Sequence, residues 1–509
     1  MTGSRYYITT PIYYVNDVPH IGHAYTTLAC DAMARFMRLD GHEVLFLTGT
    51  DEHGQKVEKA AAKAGLEPQI FTERLSRLFR DLLPSLNVSN DDFIRTTEFR
   101  HIQSVQEVWR RLVKNGNIYL GQYAGWYSVR DEAYFSENEL VDGMAPTGAP
   151  VEWVEEPSYF FNLSKWQEPL LRYYEENPDF IAPRSRRNEV VSFVSGGLHD
   201  LSVSRTSFKW GVPVPNDDDH IMYVWLDALT NYITAAGFPD CASETYTKFW
   251  PANLHVVGKD IVRFHAVYWP AFLMAADLPL PERVFAHGWW TNEGKKISKS
   301  LGNVIDPLEL IETFGLDQVR YFLLREVPFG NDGDFSRSAM IGRMNNDLAN
   351  DFGNLSQRVL GFVAKNMGGV IPTPGNFTND DAALLDAAER LLSRLRDEYQ
   401  SQAFNRALET VWNVVGAANR YIDEQAPWAL RKTDPERMST VLYTLMETIR
   451  YLAILMQPIV PTSAGRMLDQ LGVGIGARDF RCLTEAHRLS PGIKLTKPTP
   501  VFPKYTETK

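Results

Sequence analysis

Two short clusters in this chain carry residue types suited to handling phosphate charge. The first is His20-Ile21-Gly22-His23. Two imidazoles three residues apart can donate to phosphate oxygens as negative charge builds on them, and Gly22 lets a flat base or a phosphate approach the backbone. The second is Lys295-Lys296-Ile297-Ser298-Lys299-Ser300-Leu301-Gly302-Asn303. Three lysines among small residues suit a loop that folds over a triphosphate, each ammonium acting as a point charge. Taken singly, the first is equally a surface turn and the second a solvated basic loop. Their positions along the chain decide between these readings.

The run Tyr6 to Tyr14, β-branched and aromatic, is expected to be a strand. Asn16-Asp17-Val18-Pro19 forces a loop, since proline fixes φ and removes a donor. Tyr25, Leu28, Ala29, Ala32, Met33, Phe36 and Leu39 then recur at helical spacing until Gly41, and Val44 to Leu47 forms a second strand. Strand, helix, strand at this spacing predicts a βαβ unit and a parallel sheet. His20 to His23 falls at the start of that helix, where unpaired N–H groups and the helix dipole favour phosphate.

The α/β pattern returns at Met222-Tyr223-Val224-Trp225, read as a strand ending at Trp225. It continues in the strand Leu254 to Val257, which runs into Gly258-Lys259-Asp260. Ile261, His265, Tyr268 and Phe272 follow on one helix face. Between the halves, aromatics, glycine, proline and short strand-like pieces predict an inserted α+β domain. From about Asp347 three apolar stripes recur: Leu384 to Leu395, Leu408 to Ile422, and Val441 to Met456. Repeated stripes of this kind indicate a helix bundle.

Composition narrows the class. At 509 residues the chain suggests roughly three domains of about 150 residues each. A net charge of −11 excludes a generally basic nucleic-acid coat, so any such contact must use local clusters. Cys30, Cys241 and Cys482 are far apart and offer no disulfide framework, which fits a reducing compartment. The first residues lack an apolar signal core and no apolar run approaches membrane length, so a cytoplasmic protein without membrane contact is expected.

The two clusters resemble the HIGH and KMSKS signatures of class I aminoacyl-tRNA synthetases, here with isoleucine for methionine in the second. The rest of the chain resembles the methionyl-tRNA synthetase family over nearly its whole length. The stretches that carry this are Pro11 to Asn16, Thr50-Asp51-Glu52-His53-Gly54, Tyr159 to Lys165, Val224-Trp225-Leu226-Asp227-Ala228, Gly258-Lys259-Asp260-Ile261 and Ala426-Pro427-Trp428. The resemblance implies a Rossmann-type α/β domain in two halves, 1–116 and 217–285, split by a connective α+β insertion at 117–216. A lysine-loop region at 286–346 and a helical anticodon-binding domain with its tail at 347–509 follow. It implies a ligase that joins L-methionine to tRNA(Met) through an adenylate made from ATP with Mg2+. A monomer is expected, because no dimerisation module is recognisable after the bundle.

Open parallel sheets bind ligands outside the carboxyl ends of their strands. Ile12 and Tyr14 fall at the end of the first strand, Asp51 after the second and Trp225 after the insertion, while Ile261 and His265 lie one turn apart. Asp51 can accept from an ammonium group, and Tyr14, Trp225, Tyr232 and Ile261 can surround a thioether. The resemblance gives these residues, with Leu229 and His265, the methionine site. It gives His20, Gly22, His23, Lys259, Asp260, Lys296 and Lys299 the ATP site, with His20, His23, Lys296 and Lys299 catalytic. From pattern alone Ile12, Trp225 and Ile261 are equally core residues, and His53 and His265 equally satisfied core histidines. Leu229 stands where many relatives have proline.

Asn354, Arg358 and Trp428 are implied to read the anticodon. An aromatic between bundle helices is ordinarily core, so this assignment of Trp428 comes from the resemblance. Many relatives carry Cys-x-x-Cys zinc knuckles in the insertion. Here Trp126 to Asp131 has no cysteine, and no structural zinc or other bound metal is expected. Three alternatives remain: another class I synthetase, a small-molecule adenylyltransferase, and a catalytically silent tRNA-binding protein.

Overall fold

The computed structural model describes residues 4–15, 18–135, 137–297 and 302–506. Lys299 lies outside them, as do Ser298, Ser300 and Leu301 of the lysine cluster, and Asn16. The chain folds as two compact units. One comprises Arg5–Cys30 and Val44–His287; the other takes in Asp31–Glu43 and the chain from Gly288 onward.

The chain opens with β1 (Arg5–Thr9), β2 (Tyr13–Tyr14), α1 (Ile21–Leu39), β3 (Glu43–Asp51), α2 (Gln55–Lys63), α3 (Pro68–Ser85), β4 (Asp92–Arg95) and α4 (Phe99–Lys114), all in the first unit except α1 from Asp31 on and Glu43. The run expected as one strand from Tyr6 to Tyr14 is therefore two. Pro11 lies between them, and without an N–H it cannot continue a ladder. β3 extends past Leu47 to Asp51, because Thr48 and Thr50 are buried with their hydroxyls bonded, to Thr10 at 2.8 Å and to Glu52 at 2.9 Å.

The sheet has seven strands in the order β2, β3, β1, Leu254–Gly258, Val284–His287, Ile181–Ala182, with β4 paired to β3. β1 runs parallel to Leu254–Gly258, which is parallel to Val284–His287, and β3 is parallel to both β2 and β4. Parallel strands bring their carboxyl ends to one edge. Tyr14, Asp51 and Gly258 end three of them there, and the register sets Tyr14 opposite Asp51. Ile181–Ala182 comes from within 117–216, yet it adds to this sheet beside Val284–His287. The rest of that span holds an antiparallel sheet in which Ile118–Ser128 pairs with Glu152–Phe161.

The segment expected as a strand from Met222 to Trp225 changes state. Asp217–Met222 is a strand of a small antiparallel sheet, and Val224–Leu229 is a helix that places Trp225 in its first turn. A short apolar run does not distinguish strand from helix by periodicity, and the switch falls at Tyr223, whose backbone is extended (φ −62°, ψ 134°). The helix expected after Leu254 to Val257 is also uneven: a 3-10 turn Lys259–Ile261, a π-helical turn Phe264–Tyr268, then Trp269–Ala275.

In the second unit Trp290–Asn292, Lys295–Lys296 and Gly333–Phe335 form a sheet that sets Lys296 opposite Thr291. The three stripes become the helices Asn379–Glu389 with Leu391–Gln400, Phe404–Gln425, and Pro435–Met456. Val441, Leu442, Leu445, Ile449 and Leu452 of the last are fully buried. Among the described residues no helix is long and apolar enough to cross a membrane. Cys30, Cys241 and Cys482 form no disulfide.

Candidate active site

His20 stands immediately before α1, and its Nδ1 accepts the Gly22 N–H at 3.0 Å. The His20 N–H in turn donates to His23 Nδ1 at 3.1 Å. Backbone N–H groups only donate, so both Nδ1 atoms are acceptors, and in each neutral ring the proton sits on Nε2. Burial, then His20, pushes the His23 imidazole well below its ordinary pKa, so it is neutral. The ring centres lie 3.9 Å apart with the planes tilted by 36°, and His23 packs edge-on to Tyr13 at 4.9 Å and Phe79 at 5.2 Å. The two histidines thus present the same tautomer, with N–H on the nitrogen opposite the helix cap.

The Gly22 N–H is taken by His20, and a Cβ there would sit 2.9 Å from His20 Cε1. Glycine makes room for the imidazole cap.

At the carboxyl edge of the sheet, Asp51 is 6% exposed and its Oδ1 has no hydrogen-bond partner among the described residues. Burial first, then the charges of Asp227 and Glu132, hold this carboxyl well above the usual carboxylate range. A buried acid of this kind takes a cation readily, because the cation removes the cost of ionising it. Asp51 is close enough to help raise the Tyr232 hydroxyl pKa, although burial is the main cause there.

Tyr232 and His265 are both buried, with hydroxyl and Nε2 2.7 Å apart. His265 Nδ1 is 3.0 Å from the Ile261 carbonyl, and burial lowers the imidazole to about 4. Trp225 lies flat on Phe264 at 3.8 Å and edge-on to His265 at 6.1 Å. The aromatic walls are neutral, as an apolar thioether requires. Ile12 and Ile261 are partly buried against the same core, whereas Leu229 is 1% exposed within it. Lys259 and Asp260 open the 3-10 turn beyond the strand Leu254–Gly258.

Two groups escaped the sequence reading. Asp227 is clamped by two buried imidazoles, His53 Nδ1 at 2.6 Å and His101 Nε2 at 2.7 Å. Burial opposes its charge, but the two histidines outweigh burial and bring the carboxyl down to about 2. Breaking such a buried pair costs about 3–5 kcal/mol. The second group is Glu132, whose carboxylate accepts the Tyr14 hydroxyl. Its neighbours in sequence gave no sign of this, since the contact spans 118 residues.

In the second unit, Arg358 and Trp428 are brought together. The Arg358 guanidinium lies 5.5 Å from the Trp428 ring and donates to Asp423 at 2.6 Å. Trp428 is 46% exposed, against the expectation for an aromatic between bundle helices. Ala426, at φ +41°, turns the chain into the short helix Pro427–Thr433 that carries it. Asn354, exposed, opens the helix that holds Arg358 one turn later.

Known proteins resemble the chain over nearly its whole length. A model of class I tRNA synthetases (M) matches residues 6–150 and 139–360, and one of the anticodon binding domain of methionyl tRNA ligase matches 371–509. A methionine–tRNA ligase of Rickettsia felis is 60% identical over 506 residues, 99% of each chain. That of Mesorhizobium japonicum is 57% identical over 512 residues, covering 100% of this chain and 99% of its own. Mycobacterium tuberculosis methionyl-tRNA synthetase in complex with methionyl-adenylate aligns with a TM-score of 0.96 at 55% identity, over 98% of this chain and 100% of that one. Its apo form aligns with a TM-score of 0.90 at 52% identity, over 99% of each. The chain belongs to the methionyl-tRNA synthetase family of class I tRNA synthetases.

Proposed function

We propose that the chain ligates L-methionine to tRNA(Met) in two steps. Methionine and ATP give methionyl-adenylate and pyrophosphate; the methionyl group then passes to the terminal ribose of tRNA and AMP leaves. The observation that carries this reading is Asp51, a buried carboxyl with one oxygen unpartnered, near the Tyr232 hydroxyl that bonds His265. An ammonium group satisfies the first and a neutral side chain suits the second.

Adenylation is an attack of the methionine carboxylate on the α-phosphate, and no side chain need exchange a proton. The work is alignment and charge stabilisation. Asp51 holds the ammonium group, and Tyr14, Ile12, Trp225, Leu229, Tyr232, Ile261 and His265 enclose the side chain. His20 and His23 donate from Nε2 to phosphate oxygens, with Lys259 and Asp260 beside the nucleotide. The roles of Lys296 and Lys299 on the phosphates rest on their motif. ATP enters as its Mg2+ complex, the ion neutralising phosphate charge.

No structural zinc belongs to the insertion. The stretch Trp126 to Asp131 supplies no cysteine. The protein acts in the cytoplasm as a monomer, with the five-part division of the sequence as its working anatomy. Asn354, Arg358 and Trp428 read the anticodon. ATP–pyrophosphate exchange with a panel of amino acids tests the central reading: methionine alone should drive it strongly. Exchange driven by another amino acid and not by methionine would sink it.

A further inference from the structure

Glu132 follows the strand Ile118–Ser128 of the insertion, with φ +50°, a left-handed backbone that residues other than glycine adopt at a cost. The side chain is not at the surface: the residue is 6% exposed. Its Oε1 accepts the Tyr14 hydroxyl, and its carboxylate also takes the Lys56 backbone N–H in the first turn of α2. Its own carbonyl accepts the Tyr223 hydroxyl at 3.0 Å. The Tyr14 hydroxyl also stands 3.0 Å from the His53 carbonyl, and Lys56 Nζ lies 5.2 Å from the Tyr14 ring. Gly54, at φ +110°, leaves the space: a Cβ there would stand 2.6 Å from both Glu132 Oε1 and the Tyr14 hydroxyl.

We propose that Glu132 is a positioning residue through which the insertion fixes the wall of the methionine pocket, by holding the Tyr14 hydroxyl at the His53–Gly54 turn. Tyr14 ends β2 directly opposite Asp51. A displaced Tyr14 ring therefore alters the surroundings of the carboxyl that receives the ammonium group. The left-handed turn, the helix-capping contact and the bond to Tyr14 all converge on one carboxylate, which a purely local turn does not require. The assignment rests on the reading of this site as a methionine-activating centre.

The test is ATP–pyrophosphate exchange by the full-length protein with methionine and ATP varied separately. Glu132→Ala should raise the methionine KM by about tenfold, the worth of one buried hydrogen bond, and the ATP KM by less than about threefold. Tyr14→Phe should give a similar rise, and the double variant should be no worse than either single, because both remove the same bond. Glu132→Gln, which keeps an acceptor for Tyr14, should stay within about threefold of wild type. An unchanged methionine KM in Glu132→Ala, or effects of the two variants that multiply, overturns the proposal. So does a joint shift of both KM values and kcat with a lowered Tm. If Glu132→Ala does not fold, Tyr14→Phe decides alone, and an unchanged methionine KM there overturns it. Failure of the wild type to exchange with methionine would instead remove the functional reading on which this rests.

Discussion

The Tyr232 hydroxyl and His265 Nε2 stand 2.7 Å apart, and the direction of their bond is fixed by the other ring nitrogen. His265 Nδ1 faces the Ile261 carbonyl, which only accepts, so Nδ1 carries the proton and Nε2 is bare. The tyrosine therefore donates. Tyr232→Phe leaves a buried acceptor unpaired, at a cost of about 1–3 kcal/mol. Urea unfolding should register that loss, and the methionine KM should rise with it. A variant with full stability and unchanged KM would show that the bond positions nothing.

The same histidine gives a pH dependence. Its folded pKa is about 4 against an ordinary 6.5, so the folded state holds the neutral ring. Between those values the unfolded chain takes up a proton that the folded chain refuses. This contribution is present in full above pH 6.5 and is lost as pH falls toward 4. His23 and His255, both lowered by burial, add in the same direction. Asp227, at about 2, protonates only in more acid solution and acts in a separate window. His265→Gln should remove this ring's share of the pH dependence between pH 7 and pH 4.5, measured against wild type because Asp51 and Glu132, whose carboxyls burial raises, act in the opposite direction over that range. Equal slopes in the two proteins would place the titration elsewhere.

His20 offers a way to separate cap from catalyst. His20→Asn keeps an acceptor for the Gly22 N–H, since asparagine is a good helix N-cap, but removes the Nε2–H donor. Stability should hold while adenylation slows by about a hundredfold or more, the scale of one lost donor to transition-state charge. The methionine KM should change little, as for an interaction made only in the transition state. Gly22→Ala should slow the reaction too, because its Cβ would displace the His20 ring. If His20→Asn kept the wild-type rate, the imidazole would be a cap and nothing more.

Much of this was legible because local pattern and fold agree. The stripe from Val441 to Met456 becomes one buried helix, and the apolar spacing from Tyr25 to Phe36 becomes α1. Trp225 was misplaced because Met222 to Trp225 is too short for its period to decide, and an antiparallel partner ends the strand at Met222. Polar Thr48 and Thr50 hid the far end of β3, since their burial depends on hydroxyl partners rather than on hydrophobicity. Glu132 and the His53–Asp227–His101 cluster depend on contacts more than a hundred residues apart in sequence. No local window carries that signal.

Metal content is open to direct measurement. Elemental analysis of the purified protein should find no stoichiometric zinc, and activity should survive chelation once Mg2+ is restored in excess. The basis is the donor set, with no cysteine between Cys30 and Cys241. One tightly held zinc per chain would defeat this expectation and would call for ligands other than cysteine in the insertion.

The proposed reading of the anticodon turns on Trp428. A bundle tryptophan is ordinarily core, and its removal then costs several kcal/mol. Here the ring is 46% exposed, at the start of a short helix that Ala426, in a left-handed conformation, and Pro427 set in place. Arg358, beside the ring, is itself anchored by Asp423. An exposed ring with an adjacent guanidinium suits an unpaired base, which can stack on the one and bond to the other. Stacking on an aromatic is worth about 1–3 kcal/mol per base. Trp428→Ala should therefore lower kcat/KM for aminoacylation of cognate tRNA by about tenfold or more. Exchange of ATP with pyrophosphate, which needs no tRNA, should be nearly intact, and Tm should shift little because the ring is not packed. Arg358→Ala should follow the same pattern, losing tRNA charging and keeping exchange. If both activities fell together with Tm, the tryptophan would be holding the helix in place, and base recognition would have to be sought elsewhere on the bundle.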